Sequence, residues 1–298
     1  MLVSAIPTSS RDGGHRGLDR AAAAAGLSRG ELFAGLCILG FANGVMSRVQ
    51  GAILQDGATM AIAGTFNTSV VVWIAFVACP LMLLRGPREA FLRADLFLAA
   101  GVLAAIMLPV AHLSWLGLTA LALYMLADPF GPPGMRPESP MRRGAWILLA
   151  TTGAMFWGRV LLFSASGPVL DTDARMVGWL TGMETIGNTV RFAGGDGHVW
   201  IAPFCSSLSN ISLAILCWVL FAQHRGVAWS PASVGWCLLA CLSVVAVNVT
   251  RISLMVLHPA QFDFIHGPVG SAVAGALSVV LMLGICMWGT RHARFAPA

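Results

Sequence analysis

The sequence has 298 residues, of which 57% are hydrophobic and only 10% are charged, and its mean hydropathy is +0.78. Soluble domains carry about 25% charged residues, so this composition excludes an ordinary soluble protein and predicts an integral membrane protein. The net charge of +5 comes from arginine, since the sequence contains no lysine. Arginine-rich cytoplasmic loops are typical of membrane proteins, so the charge does not predict binding to nucleic acid.

Eight apolar stretches, each about long enough to cross a bilayer, follow a basic N-terminal segment. Residues 1–30 lack the apolar core of a signal peptide and are expected to form a disordered cytoplasmic tail. An N-terminal set of transmembrane helices is expected over 31–164, and a second region over 165–298. The predicted spans are 31–47, 60–84, 95–111, 113–128, 144–164, 206–222, 232–257 and 269–289.

The distribution of arginine orients these spans, because arginine in short loops is retained on the cytoplasmic side of a membrane. With both ends of the chain inside, most arginines fall in cytoplasmic segments, while Arg159 and Arg251 lie within spans. The outer segments then hold only Arg48, Arg175 and Arg191. This topology predicts a multi-pass protein of the cytoplasmic (inner) membrane, with residues 165–205 and 258–268 on the outer face.

The outer segment 165–205 is predicted to fold as a small cap on the helices. Met176 to Thr189 is expected to form a short helix along the membrane interface, with Trp179 as an aromatic anchor. Two β-prone runs follow around Gly194 to Gly197 and predict a hairpin. The predicted fold class is therefore an all-α membrane protein of about eight helices, with a short helix and a β-hairpin on its outer face.

One cysteine stands apart from the other six. Cys37, Cys79, Cys217, Cys237, Cys241 and Cys286 lie inside apolar runs, where cysteine behaves as a small buried hydrophobe. Cys205 lies at the edge of a span, and a helix beginning near Ser206 favours the thiolate form through its partial positive charge. Cys205 is the candidate nucleophile, although a lone cysteine more often serves packing.

Polar residues of the last two spans are the candidate partners of this thiol. Arg251 lies within a span, where a guanidinium normally faces a cavity or a partner, unless it snorkels to nearby headgroups. Asn248 lies three residues earlier and so on the same helix face. His266 precedes the last span and suits proton transfer, though a loop histidine is more often only solvated. His258 is an alternative base.

Two further residues are candidates for binding a substrate. Glu184 lies in the outer segment, and Arg159 lies near the outer end of the fifth span. Solvation of the outer face explains Glu184 equally well, and Arg159 has the same two interpretations as Arg251. No Cys/His spacing in the sequence suggests a metal site, so no metal and no organic cofactor is predicted.

The order of these features resembles the exosortase/archaeosortase family of membrane transpeptidases. The resemblance covers about residues 180–285: a glutamate-containing helix, a glycine-rich hairpin, Cys-Ser at a span start, the Asn-x-x-Arg-Ile run of Asn248 to Ile252, and a loop histidine. It implies that 165–298 is the catalytic region, with Cys205 as nucleophile and Arg251 and His266 as its catalytic partners. Family members commonly have Ser-Gly after the cysteine, whereas Ser206 is followed by Ser207 here.

The resemblance also implies a substrate class. Its members are cysteine transpeptidases that act on exported proteins carrying a C-terminal sorting signal, made of a short motif, a hydrophobic span and a basic tail. In bacteria the motif is typically of the Pro-Glu-Pro type (PEP-CTERM), and the anchored proteins belong to the cell envelope. The implied activity is cleavage near the outer interface through an acyl-thioenzyme, with transfer to water or to an amine.

Two other functions fit the same residues. A transporter or exopolysaccharide-export component without peptidase activity would use Arg159 and Arg251 to line a path, although no repeat between 31–164 and 206–289 supports it. A membrane-bound acyltransferase would use His266 without a thiol intermediate. Only the peptidase hypothesis requires a reactive Cys205 that faces outward.

Overall fold

The computed structural model describes residues 26–90, 92–108, 110–127 and 139–291, and these are mainly helical. The predicted disordered tail, residues 1–30, lies outside the described residues except for 26–30. The first helices are α1 (Arg29–Ala63), α2 (Val70–Leu84), α3 (Arg93–Met107), α4 (Ala111–Ala127), α5 (Pro140–Thr152) and α6 (Gly158–Ser164), with a π-helical segment at Gly153–Trp157 between the last two. The remaining helices are α7 (Ser166–Thr181), α8 (Ser207–Arg225), α9 (Pro231–Leu257), α10 (Phe262–His266) and α11 (Pro268–Gly289).

In the described part of the chain, five helical segments are long and apolar enough to cross a membrane, as in a multi-pass membrane protein. These are Arg29–Ala63, Pro140–Ser164, Ser207–Arg225, Pro231–Leu257 and Pro268–Gly289. Val70–Leu84 and Ala111–Ala127 are apolar but shorter. The predicted class, a helical membrane protein, is therefore confirmed, while the number of spans stays a prediction.

The predicted span over 60–84 is wrong at its start. The first helix continues to Ala63, a 3₁₀ turn occupies Thr65–Asn67, and α2 begins only at Val70. The side chain of Ser69 accepts a hydrogen bond from the Val71 N–H and so caps α2. Hydropathy alone missed this turn because the residues around it are themselves partly apolar.

Most buried apolar side chains belong to a single core between α1 to α5, α8, α9 and α11. Within it, the carboxylate of Asp95 lies 3.0 Å from Nε of Arg29 and accepts a 2.8 Å hydrogen bond from the Tyr124 hydroxyl. The guanidinium of Arg29 also lies over the rings of Phe33 and Tyr124. Arg29 is 2% exposed and Asp95 is fully buried, so this ion pair is part of the packing between α1, α3 and α4.

The segment between α7 and α8 forms a three-stranded antiparallel sheet of β1 (Thr185–Ile186), β2 (Thr189–Arg191) and β3 (His198–Trp200). The β2–β3 hairpin pairs Arg191 with His198 across the glycine-rich loop, as predicted. The predicted helix over Met176 to Thr189 is wrong in its bounds. It ends at Thr181 because Gly182 adopts a left-handed conformation (φ +71°), and Gly187 (φ +56°) turns the chain into β2.

A second, smaller core lies beneath this sheet. It brings together α7, the inward-facing residues of the strands and the C-terminal half of α9, including Val190, Val199 and Ile252. The N–H of Ala193 also donates to the carbonyl of Val256 at 3.1 Å, which fastens the hairpin loop to the end of α9. Cys205 packs against this second core, so the sheet and α9 together fix its position.

Candidate active site

Cys205 ends a short 3₁₀ turn, Pro203–Cys205, immediately before α8. Its N–H donates to the carbonyl of Ala202 at 2.9 Å, and its side chain is half-buried. Two groups then satisfy the first N–H groups of α8. The Ser206 hydroxyl accepts from the Leu208 N–H at 3.2 Å, and the buried carboxylate of Asp173 accepts from the Ser207 N–H at 3.0 Å. The thiol is therefore held on a capped and immobile helix start.

Asn248 connects this turn to α9. Its side-chain amide donates to the carbonyl of Cys205 at 2.8 Å and to the hydroxyl of Ser207 at 3.1 Å. Asn248 and both of its partners are buried or half-buried. Asn248 thus contacts the site through its side-chain amide, which orients the main chain that carries the thiol.

Arg251 lies one helical turn after Asn248 and donates three hydrogen bonds to neutral acceptors. Its Nε donates to the carbonyl of Ile265 at 3.2 Å, and one terminal nitrogen donates to the carbonyl of His266 at 3.0 Å and to the Ser271 hydroxyl at 2.7 Å. Within the described residues no carboxylate pairs with this guanidinium. The end of α10 is therefore tied to α9, and the arginine keeps its net positive charge.

The electrostatics of Cys205 differ from the expectation based on helix position. Partial burial raises the pKa of the Cys205 thiol above its usual value, and the positive charge of Arg251 and the hydrogen bond to Ala202 offset only part of that rise. Desolvation outweighs these favourable charges, so the net shift runs opposite to the thiolate that the helix start was predicted to favour. The charge of Arg251 lowers the pKa of the thiol, while no hydrogen bond among the described residues joins the guanidinium to the sulfur.

The imidazole of His266 is not brought to the sulfur in this structure. It is exposed and stacks on Phe262, with ring centroids 5.3 Å apart and the planes inclined by 7°. No hydrogen bond among the described residues joins it to Cys205. His258 is likewise exposed at the end of α9. The main chain of His266 belongs to the site through Arg251, while the role of its ring as a base stays a prediction.

The two remaining predicted residues lie apart from Cys205 or face solvent. The side chain of Glu184 is exposed, and its carbonyl accepts from the Arg191 N–H at 3.0 Å. Arg159 lines a different cavity, beside Arg48. Neither residue has a hydrogen bond to Cys205, Asn248 or Arg251 within the described part of the chain.

Sequence reasoning missed Asp173 and Ser271. Asp173 and Asp171 lie two residues apart on α7, and Asp173 is buried against α8 whereas Asp171 is half-buried. Ser271 follows the glycine and proline that open α11, and its hydroxyl donates to the carbonyl of His266 at 3.0 Å. Hydrophobic periodicity on α7 was the available signal, since Asp173 lies among Leu170, Ala174 and Val177.

A cavity of about 560 Å³ adjoins the site between α2, α8, α9 and α11. Its polar residues include Asn248, Arg251 and Ser271, and much of the rest of its wall is apolar. Cys205 does not line it, and Asn248 stands between the cavity and the turn that carries the thiol.

Comparisons of the chain with models of protein families, with curated proteins and with solved structures find no match. The resemblance to the exosortase/archaeosortase family therefore stays a prediction.

Proposed function

We propose that this chain is a membrane-embedded cysteine peptidase or transpeptidase of the exosortase/archaeosortase type, with Cys205 as its nucleophile. Its substrates are exported proteins with a C-terminal sorting signal, and the reaction takes place near the outer membrane interface. The observation that carries the proposal is the connection from Cys205 through Asn248 and Arg251 to the main chain of His266. Three segments far apart in sequence meet there, in the order that the family resemblance requires.

The topology belongs to the same proposal. Eight spans with both ends inside place α7, the sheet and the start of α8 on the outer face, where the arginine distribution also puts them. The sheet and α7 then form a cap over the outer ends of α8 and α9. A substrate held in the bilayer by its own hydrophobic span presents its scissile bond at this level.

The raised pKa of the Cys205 thiol means that the resting enzyme holds mainly the protonated form at neutral pH, so acylation requires a base. In the proposed cycle the imidazole of His266 takes the thiol proton, after leaving its stacked position on Phe262. The sulfur then attacks the substrate carbonyl, the peptide C–N bond breaks, and the imidazolium returns the proton to the leaving amine. Water or an acceptor amine finally cleaves the thioester.

The positive charge of Arg251 suits the stabilisation of negative charge on the substrate carbonyl. Its present acceptors are two carbonyl oxygens and one hydroxyl, all neutral, so a developing oxyanion competes well for the same N–H groups. The adjoining cavity is the proposed binding site for the substrate's hydrophobic segment. Its apolar walls lie along α11, and Arg251 is part of its lining. No step in this cycle calls on a metal or an organic cofactor.

The direct test is processing of a reporter in cells. The chain is co-expressed with an exported reporter that ends in a Pro-Glu-Pro motif, a hydrophobic span and a basic tail, and loss of the tail is followed by mass. Cys205→Ser and His266→Ala should abolish processing, while Cys217→Ser, a cysteine in the bundle core, should not. Normal processing by Cys205→Ser would overturn the peptidase assignment. Normal processing by His266→Ala together with loss in His258→Ala would transfer the role of base to His258.

A further inference from the structure

A second cavity, of about 490 Å³, lies between α1, α4 and the π-helical segment with α6. Among the described residues, its charged or titratable lining is Arg48, His112 and Arg159, with no aspartate or glutamate. The rest of the wall is largely aromatic and includes Trp115 and Phe156, with the His112 ring edge-on to Phe156 at a centroid distance of 5.9 Å. This cavity is separate from the site around Cys205.

No carboxylate of the described residues pairs with the two arginines of this cavity. The only hydrogen bond that Arg48 makes within the described residues reaches the thioether sulfur of Met155, at 3.7 Å. Thioether sulfur is a weak acceptor, and Arg48 is half-buried. Arg159 forms no hydrogen bond or ion pair in the described part of the chain, and its charge repels that of Arg48. Arg159 is exposed beside half-buried Arg48, and an anion bound between them offsets the repulsion of their charges.

The position of Arg48 along α1 matches a headgroup level of the bilayer. A helix rises about 1.5 Å per residue, so Arg48 lies about 28 Å from Arg29 along the helix axis, close to the thickness of about 30 Å of a hydrocarbon core. Arg29 is neutralised by Asp95 at its own level. Arg48 has no such carboxylate among the described residues.

We propose that this cavity is a binding site for a phosphate group, and that the phosphate is that of a membrane lipid. Two guanidinium groups present several N–H donors in a geometry that matches phosphate oxygens, and His112 supplies a further donor. A phosphate with one or two negative charges offsets the repulsion between Arg48 and Arg159. The ligand follows from the charges in the cavity and is independent of the reaction at Cys205.

The neighbouring groove favours a lipid over a free phosphate. An apolar groove of about 580 Å³ runs between the α5–α6 segment and α8, and Val160 lines both it and the arginine cavity. The π-helical segment contributes to both: Phe156 faces the arginine cavity, while Trp157 faces the groove. A phosphate on Arg159 would thus leave an acyl chain at the entrance to the apolar groove. A free phosphate would leave that groove unused.

The test uses the purified full-length protein in a neutral maltoside detergent, with three probes in thermal unfolding. Dioleoyl phosphatidylglycerol carries both a phosphate and acyl chains, dioleoylglycerol carries only the chains, and glycerol 1-phosphate carries only the phosphate. The first should raise the Tm of the parent protein by about 5 °C near saturation, and the other two should not. Arg159→Gln should weaken the affinity for phosphatidylglycerol by about tenfold, the loss expected of a charge-assisted hydrogen bond.

Matched variants separate binding from folding. Arg175→Gln removes an exposed arginine that is already paired with Asp171, at 2.7 Å, and should respond to the lipid as the parent does. Without lipid, Arg159→Gln should be at least as stable as the parent, because the repulsion of Arg48 is gone; native mass spectrometry then counts the lipid that each folded protein retains. Equal stabilisation by dioleoylglycerol, equal stabilisation by glycerol 1-phosphate, or an unchanged response in Arg159→Gln would each overturn the proposal.

Discussion

Arg29 and Arg251 are held by different kinds of partner. Arg29 is buried and paired with the carboxylate of Asp95, which Tyr124 also contacts, so the charge is neutralised inside the protein. Arg251 is half-buried beside a cavity, and its hydrogen bonds within the described residues all go to carbonyl and hydroxyl oxygens. The first arrangement compensates the charge of Arg29 within the packing between α1, α3 and α4. In the second arrangement the positive charge lies beside the cavity and lowers the pKa of the Cys205 thiol.

The largest expected effect comes from breaking the Arg29 cluster. Asp95→Ala leaves a buried guanidinium without its carboxylate, and loss of one partner of a buried pair destabilises by about 3–5 kcal/mol. Unfolding in mixed micelles measures it, with Asp171→Ala as the control, because its partner Arg175 is exposed and the change should be small. A loss no larger than in the control would show that the Arg29 cluster is not structural. Processing per folded molecule should stay unchanged.

Arg251→Gln tests the opposite half of the comparison. The glutamine can still donate to one carbonyl at the end of α10 but has no charge, so folding should change little, while processing falls by about 10²–10³-fold. Arg251→Lys keeps the charge without the planar fork and should recover part of the activity. Reporter processing and unfolding are measured on the same preparations. Strong destabilisation with normal processing of the folded fraction would make Arg251 structural, as Arg29 is.

Asn248→Ala tests whether Asn248 positions the turn that carries Cys205. It removes the donor to the Cys205 carbonyl and the Ser207 hydroxyl, so we expect a destabilisation of about 1–3 kcal/mol. The rate of Cys205 alkylation should change as well, because its turn is no longer oriented. Asn210→Ala is the matched control, since Asn210 lines the same cavity and its side chain makes no hydrogen bond within the described residues. Equal behaviour of the two variants would remove Asn248 from the site.

Asp173→Ala should destabilise the protein less than Asn248→Ala does. It leaves the Ser207 N–H without its acceptor, and loss of such a cap costs about 0.5–2 kcal/mol. Asp173→Asn retains a side-chain oxygen and should recover most of that loss. If Asp173→Asn instead abolishes processing while stability is kept, the carboxylate takes part in the chemistry rather than in capping α8.

The sequence predicts the helical membrane class well, because an apolar stretch of some twenty residues has few other solutions. It also predicts the β2–β3 hairpin, whose loop is rich in glycine. The bounds between 176 and 189 were wrong because a β-turn signal, Gly187-Asn188, was embedded in a run with helical periodicity. The 3₁₀ turn at Thr65–Asn67 was missed for a related reason, since its flanks are apolar on both sides.

For the site, sequence order indicated Asn248 and Arg251 but not what they contact. Both use main-chain carbonyls as acceptors, and no pattern of side chains encodes such contacts. The protonation of Cys205 also depended on how much water reaches it, which is set by packing against the second core. The apolar periodicity of α7 was the signal that could have distinguished Asp173 from Asp171, because Asp173 lies among the buried residues of that helix.

The central claim is that Cys205 is an outward-facing thiol under the influence of Arg251. Alkylation of intact cells with a membrane-impermeant maleimide tests it, because the other cysteines lie within the apolar helices. We expect Cys205 to be labelled from outside and Cys205→Ser to be silent. Since burial raises the pKa of this thiol, labelling should accelerate with pH to a midpoint above the usual value for cysteine, and Arg251→Gln should move that midpoint higher still. Labelling only after the membrane is opened, or a midpoint unaffected by Arg251→Gln, would contradict the account and favour a transporter.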